Sequence, residues 1–156
     1  MQFWQHLLLG VALATVTFPA NAISVDAADN DWTSTPLSSA NITNAGEYYA
    51  DSFTTSTNVN ISGIANSSQA WTVSVRLTTL VNGLAIAVKR TGNGTGFPSG
   101  GDDTYYPLNN TAFQPLFTGS GNISGIPLEF QISNFDVTDG NGTKDIQIEY
   151  QVTTTP

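Results

Sequence analysis

Residues 70–77, AWTVSVRL, alternate without a slip. Trp71, Val73, Val75 and Leu77 share one phase, and Thr72, Ser74 and Arg76 share the other. Successive side chains of a strand point to opposite faces, so this spacing describes a strand with one buried side and one wet side. The rhythm recurs in GLAIAVKR (83–90) with Leu84, Ile86 and Val88. It recurs again in IPLEFQISNF (126–135) with Ile126, Leu128, Phe130 and Ile132, and in DIQIEYQVT (145–153) with Ile146, Ile148, Tyr150 and Val152. Parallel strands covered on both faces would read as unbroken apolar runs, so the sheets are expected to be antiparallel.

Weaker strand signals fall at Ile23–Asp26, Glu47–Thr54, Asn58–Ile64, Thr104–Pro107 and Ala112–Phe117. Between them lie turn-rich clusters at 62–69, 91–103 and 138–144, dominated by Gly, Asn and Ser. A short helical turn fits Ser34–Asn41, and no fixed-period repeat is present. Many short strands joined by such turns predict an all-β, antiparallel β-sandwich, Ig-like or jelly-roll-like, of roughly seven to nine strands. Segments 126–135 and 145–153 read as the two arms of one hairpin. A one-residue slip would turn their apolar faces to water, so Ile146–Val152 is expected to be part of the core, at its centre or its edge.

At 156 residues the chain suggests one domain. Residues 1–22 carry a short apolar run, Leu7–Phe18, and end in Ala20-Asn21-Ala22, the pattern of a cleavable signal peptide. Residues 23–156 would form the sandwich domain, with a loop-rich opening at 23–46. Cysteine is absent, so burial alone must hold the fold. The formal net charge is −8, and the basic residues are Arg76, Lys89, Arg90 and Lys144. That lacks the basic footprint of a nucleic-acid binder and disfavours attraction to an anionic bilayer. No later run is long and apolar enough to predict membrane insertion once the leader is removed.

Candidates for chemistry are few. After the leader there is no His and no Cys, so neither a Ser–His nor a Cys–His pair can be assembled. Glu129 and Glu149 share the polar phase of the expected hairpin, and paired carboxylates can serve glycoside hydrolysis. Acids on a polar strand phase are more often a solvated face that resists edge-to-edge sticking, and that reading is favoured. Asp136, Asp139, Asn141 and Asp145 surround two glycines and offer oxygen ligands for calcium; Asp102 with Asp103, and Asp26 with Asp29 and Asp31, are lesser clusters. None has EF-hand spacing, and Asp-Gly and Asn-Gly are hairpin-turn pairs, so the turn reading is favoured at 136–145.

N-x-S/T triplets begin at Asn41, Asn60, Asn66, Asn93, Asn109, Asn122 and Asn141. They are glycan acceptors in a eukaryotic secreted protein and chance products of an Asn/Ser/Thr-rich chain otherwise. Trp32, Tyr48, Tyr49, Tyr105 and Tyr106 lie outside the main strand phases and suit a sugar-stacking surface. Adjacent tyrosines in a strand face opposite ways, so one of each pair is expected outside and the other in the core.

The leader ending ANA, the cysteine-free Thr/Asn-rich body, AWTVSVRL…GLAIAVKRTGNGTG and IPLEFQISNFDV…KDIQIEYQVTTT together resemble bacterial secreted β-sandwich proteins of the fimbrial-subunit and spore-coat-protein-U kind. The resemblance covers most of residues 45–156. It implies a structural or adhesive surface protein, Ig-like topology, and assembly in which some members lend a strand to a neighbour. Here the piece ISVD (23–26) is short and soon met by acids, unlike a long donor arm. The expectation is an exported, non-enzymatic protein of a fibre or matrix that pairs through a sheet edge, either with itself or with another surface protein. The alternative is a secreted carbohydrate- or calcium-binding module.

Overall fold

The computed structural model describes residues 23–27, 52–79, 83–134 and 146–154. These contain eight strands and no helix: β1 (Ser24–Ala27), β2 (Ser52–Ser62), β3 (Ala70–Leu77), β4 (Ala85–Arg90), β5 (Tyr106–Pro107), β6 (Gln114–Ser120), β7 (Ile123–Ser133) and β8 (Ile148–Thr154). One antiparallel sheet has the order β1-β2-β7-β4-β5, and the other has the order β6-β3-β8. Apolar side chains of both sheets join in one core: Val59, Ile61, Ile86, Val88, Ile126, Leu128, Phe130 and Ile132 from the first, Trp71, Val73, Val75, Leu77, Leu116 and Phe117 from the second. The architecture is all-β and sandwich-like. The helical turn expected at Ser34–Asn41 lies outside the described residues.

AWTVSVRL is the centre of the smaller sheet, with β6 on one side and β8 on the other. Its apolar phase is buried as expected. Ser74, on the polar phase, is also buried, because a central strand is screened by neighbours on both sides. Trp71 packs edge-on against Phe117, with ring centroids 6.0 Å apart, and donates Nε1–H to the Gly121 carbonyl at 2.8 Å. The adjacent pair Leu116 and Phe117 breaks strict alternation, yet both are buried. The register explains it. Val73 faces Phe117 and Ser74 faces Pro115, so Leu116 is the extra residue of a bulge. A second irregularity lies where Val59 faces Ile126 and Ile61 faces Ile123. Gly125 supplies the left-handed conformation there (φ 68°), and its N–H donates to Asn60 Oδ1 at 2.8 Å.

Two expectations are corrected. The segments at Glu47–Thr54 and Asn58–Ile64 are not separate within the described residues; β2 runs unbroken from Ser52 to Ser62. Its core phase passes through Thr55 and Thr57, which hides the continuity, and Thr57 is buried. The terminal hairpin does not exist. β7 lies between β2 and β4 in the larger sheet, whereas β8 pairs with β3 in the smaller one. Alternation shows which face is buried, not which strand is the neighbour. The connection over residues 134–147 also exceeds a hairpin loop of about 2–5 residues.

Candidate functional site: an open sheet edge

β8 is an edge strand that is half inside the core. Ile146, Ile148, Tyr150 and Val152 are partly buried and pack against the core cluster, and β8 lies at the end of its sheet, so Ile146–Val152 is both core and edge. Its backbone direction follows from one bond. Thr78 N–H donates to the Gln147 carbonyl at 3.0 Å. In an antiparallel ladder a residue that bonds to one neighbour turns both its N–H and C=O that way, and the parity alternates. Gln147, Glu149, Gln151 and Thr153 therefore bond toward β3, and the β3–β8 register has no shift to change this. Ile148, Tyr150, Val152 and Thr154 turn their backbone groups away from β3. Among the described residues no strand pairs with them there.

The other edges are blunted. Among the described residues β5 has two residues and β1 has four, and β1 lies near β8 without pairing with it. β6 is covered by the 91–103 loop, where Ser99 and Thr118 exchange backbone bonds of 2.8 and 2.9 Å. Short or covered edges are how sheets avoid unwanted pairing. Over its seven residues β8 has no such bonded cover among the described residues. Its exposed face carries Glu149, which pairs with Arg76 at 2.7 Å, beside Gln151 and Thr153.

The outer face of the larger sheet holds a charged cluster. The register sets Lys89 beside Glu129, and the Lys89 ammonium meets the Glu129 carboxylate at 3.0 Å. Tyr105 donates its hydroxyl to the same carboxylate oxygen, and the Lys89 ammonium lies 4.4 Å from the centre of the Tyr105 ring. The Tyr105 hydroxyl and the Lys89 ammonium together hold the Glu129 carboxyl below its ordinary range. The Glu129 carboxylate holds Lys89 above its own. Burial, then the bond to Glu129, pushes Tyr105 up. Both partners therefore favour the charged form of Glu129.

On β8, burial pushes the Tyr150 hydroxyl far above its usual value. An upward shift contributes stability that is fully present below the unfolded value of about 10 and is lost as pH rises toward the folded value. Replacing Tyr150 by Phe is expected to move the alkaline unfolding midpoint to higher pH, with stability at pH 7 changed by less than about 1 kcal/mol. A pH titration of the circular dichroism signal measures it; an unmoved midpoint would show that Tyr150 does not govern alkaline loss.

The remaining sequence candidates separate. Asp136, Asp139, Asn141 and Asp145, the calcium candidates, lie outside the described residues, as do Asp29, Asp31, Trp32, Tyr48 and Tyr49. Among the described residues no three of His, Cys, Asp and Glu gather as a metal site. Glu129 and Glu149 are on different sheets, each in an ion pair. Tyr105 faces outward with Lys89 beside its ring. Alternation places one of Tyr105 and Tyr106 in the core, and neither is there: Tyr106 is 38% exposed because β5 is a two-residue edge.

The triplet asparagines have structural work. Asn60, Asn66, Asn93, Asn109 and Asn122 each accept a hydrogen bond through Oδ1. For Asn66 and Asn109 the donors are Ser68 and Thr111, the third residues of their own triplets, which is the geometry of an Asx turn. Asn41 and Asn141 lie outside the described residues.

Sequence reading does not single out Arg90, yet it is a structural centre. Its side chain is 2% exposed and is met by four groups: the Gly100 and Gly92 carbonyls, Asn93 Oδ1 and the Asp102 carboxylate. A signal was present, because Arg90 continues the buried phase of Leu84, Ile86 and Val88. A cleft of about 500 Å³ opens beside it, walled by Lys89, Arg90, Thr91, Gly92, Asn93 and Asp102. Phe97, on the loop that Arg90 fixes, is 93% exposed.

No protein-family model, curated protein or solved structure matches the chain.

Proposed function

We propose that the chain is an exported, non-enzymatic structural or adhesive surface protein that assembles by main-chain pairing at a sheet edge. The observation that carries this reading is β8, whose outward N–H and C=O groups at Ile148, Tyr150, Val152 and Thr154 have no described strand paired with them. An added strand would gain regular backbone hydrogen bonds without special side chains, the mode of β-augmentation. Export rests on the leader-like residues 1–22. A non-enzymatic role agrees with a described surface whose clustered ionisable groups, Lys89 with Glu129 and Arg90 with Asp102, are paired with each other. In this reading the sandwich has Ig-like or jelly-roll-like topology.

Val152→Pro tests the reading. It removes an outward N–H, while the β3 ladder uses Gln151 and Thr153. Light scattering across protein concentrations is expected to show association of the parent protein, and at least a tenfold higher concentration for half-association of Val152→Pro. Single particles of the parent protein at every concentration would remove the reading.

A further inference from the structure

We infer that the partner of β8 is β8 of a second copy, antiparallel about a two-fold axis through Gln151. The inference rests on the edge-pairing reading and deepens it. Head-to-tail growth through the smaller sheet would need β8 to meet β6 of the next copy. That side of β6 is already bonded to Ser99. Among the described residues β5 and β1 offer two and four residues against the seven of β8. The edge that best matches β8 in length and has no bonded cover among the described residues is another β8. A self-complementary patch closes as a two-fold dimer rather than an open filament.

The register follows from parity and charge. Only outward-turned residues can exchange bonds with the partner: Ile148, Tyr150, Val152 and Thr154. An axis through Gln151 sets Ile148 against Thr154 and Tyr150 against Val152, each twice, so all four take part. Axes through Tyr150 or Val152 leave one of the four without a partner among them, and an axis through Glu149 leaves both Val152 and Thr154 out. The charge pattern agrees. The Gln151 axis places Glu149 opposite Thr153, whereas the Glu149 axis would oppose two carboxylates, which is destabilising. Both Glu149 side chains keep their Arg76 partners. The result is one continuous sheet of six strands, β6-β3-β8 followed by the same three in reverse.

Gln151 would face its own copy as a non-hydrogen-bonded pair, with Cα atoms about 4.5 Å apart. That lies within the span of a disulfide, roughly 4.4–6.8 Å. The chain has no cysteine, so Gln151→Cys places a single thiol at an exposed position. Under mild oxidation it is expected to form a covalent dimer at least tenfold faster than Thr153→Cys. In this register the two Thr153 residues stand four positions apart along the strands, about 14 Å. Mixing Glu149→Cys with Thr153→Cys is expected to give the mixed dimer. Amide exchange of the parent protein supplies a readout without substitution: Ile148, Tyr150, Val152 and Thr154 gain protection as concentration rises.

Equal crosslinking of Gln151→Cys and Thr153→Cys, or none from Gln151→Cys, overturns the two-fold register. If the parent protein still associates and Val152→Pro blocks it, edge pairing stands with a different partner or register. If the parent protein does not associate and the four amides show no concentration dependence, both readings fall.

Discussion

Gly119→Ala is expected to destabilise the fold by about 3 kcal/mol, at the upper end of overpacking costs. Gly119 stands opposite Trp71 in the β3–β6 register. A Cβ there would lie 2.4 Å from Trp71 Cη2 and 2.5 Å from Cζ2. The indole cannot simply rotate away. It is 1% exposed, wedged against Phe117, and bonded through Nε1 to Gly121. Either the indole gives up that bond or β6 moves off β3. Urea unfolding measures the loss. The steric origin is separated from a general dislike of side chains in β6 by a double-mutant cycle. In a Trp71→Phe background the ring is too short to reach Gly119, so the added cost of Gly119→Ala is expected to shrink by more than about 1 kcal/mol, a coupling of the size expected for residues in contact. An unchanged cost in that background would place the strain elsewhere.

The same pair shows what alternation can and cannot reveal. The burial of Trp71, Val73, Val75 and Leu77 is legible because a period of two leaves no other face for them. The antiparallel, one-side-buried character of the sheets is legible from how often that period recurs. Strand neighbours are not. β7 and β8 have matching apolar phases and are close in sequence, and both facts favour a hairpin. Yet Leu128, Phe130 and Ile132 are almost wholly buried, which requires neighbours on both sides of β7, and β2 and β4 provide them. The matching phases mean instead that both strands, in different sheets, turn their apolar faces into one core. Leu116 and Phe117 illustrate another limit: a bulge lets consecutive residues point inward, and a strict count of two misplaces one of them.

The candidate site is legible in outline only. The polar and apolar phases of Ile146–Val152 are apparent, whereas the outward turn of alternate backbone groups needs the Thr78–Gln147 bond. The Lys89, Glu129 and Tyr105 cluster cannot be read, because it joins three segments distant in sequence. Taken one at a time, Glu129 reads as a carboxylate and Tyr105 as a stacking ring. Cross-strand registry joins both, with Lys89, into one network of an ion pair, a hydrogen bond and a ring contact.

Arg90 has a local signal with a meaning that only the loop reveals, and its removal is expected to be the other large perturbation. Arg90→Met keeps the apolar stem and deletes the donors. The Gly92 and Gly100 carbonyls and Asn93 Oδ1 then lose their partner, at roughly 1–3 kcal/mol for each group left unsatisfied. The adjoining cleft admits water to some of them, so the expected total is about 3 kcal/mol. Asp102 contributes little of this, because its carboxylate is half exposed and is solvated without the arginine. Asp102→Asn is therefore expected to cost less than about 1 kcal/mol, within the range of an exposed ion pair. Arg90→Lys is the discriminating change. It preserves the charge, yet one ammonium cannot reach acceptors arranged around a planar fork. It should resemble Arg90→Met in urea unfolding, with faster amide exchange at Thr95 and Ser99, whose N–H groups tie the loop to β7 and β6. If Arg90→Lys keeps parent stability and exchange, charge alone holds the 91–103 loop and the fork geometry is incidental. If it fails as expected, the cover over β6 depends on one guanidinium. Loosening it would then expose a second sheet edge opposite β8, and a closed pair could become an open chain, so Arg90→Lys should also produce species larger than dimers in light scattering.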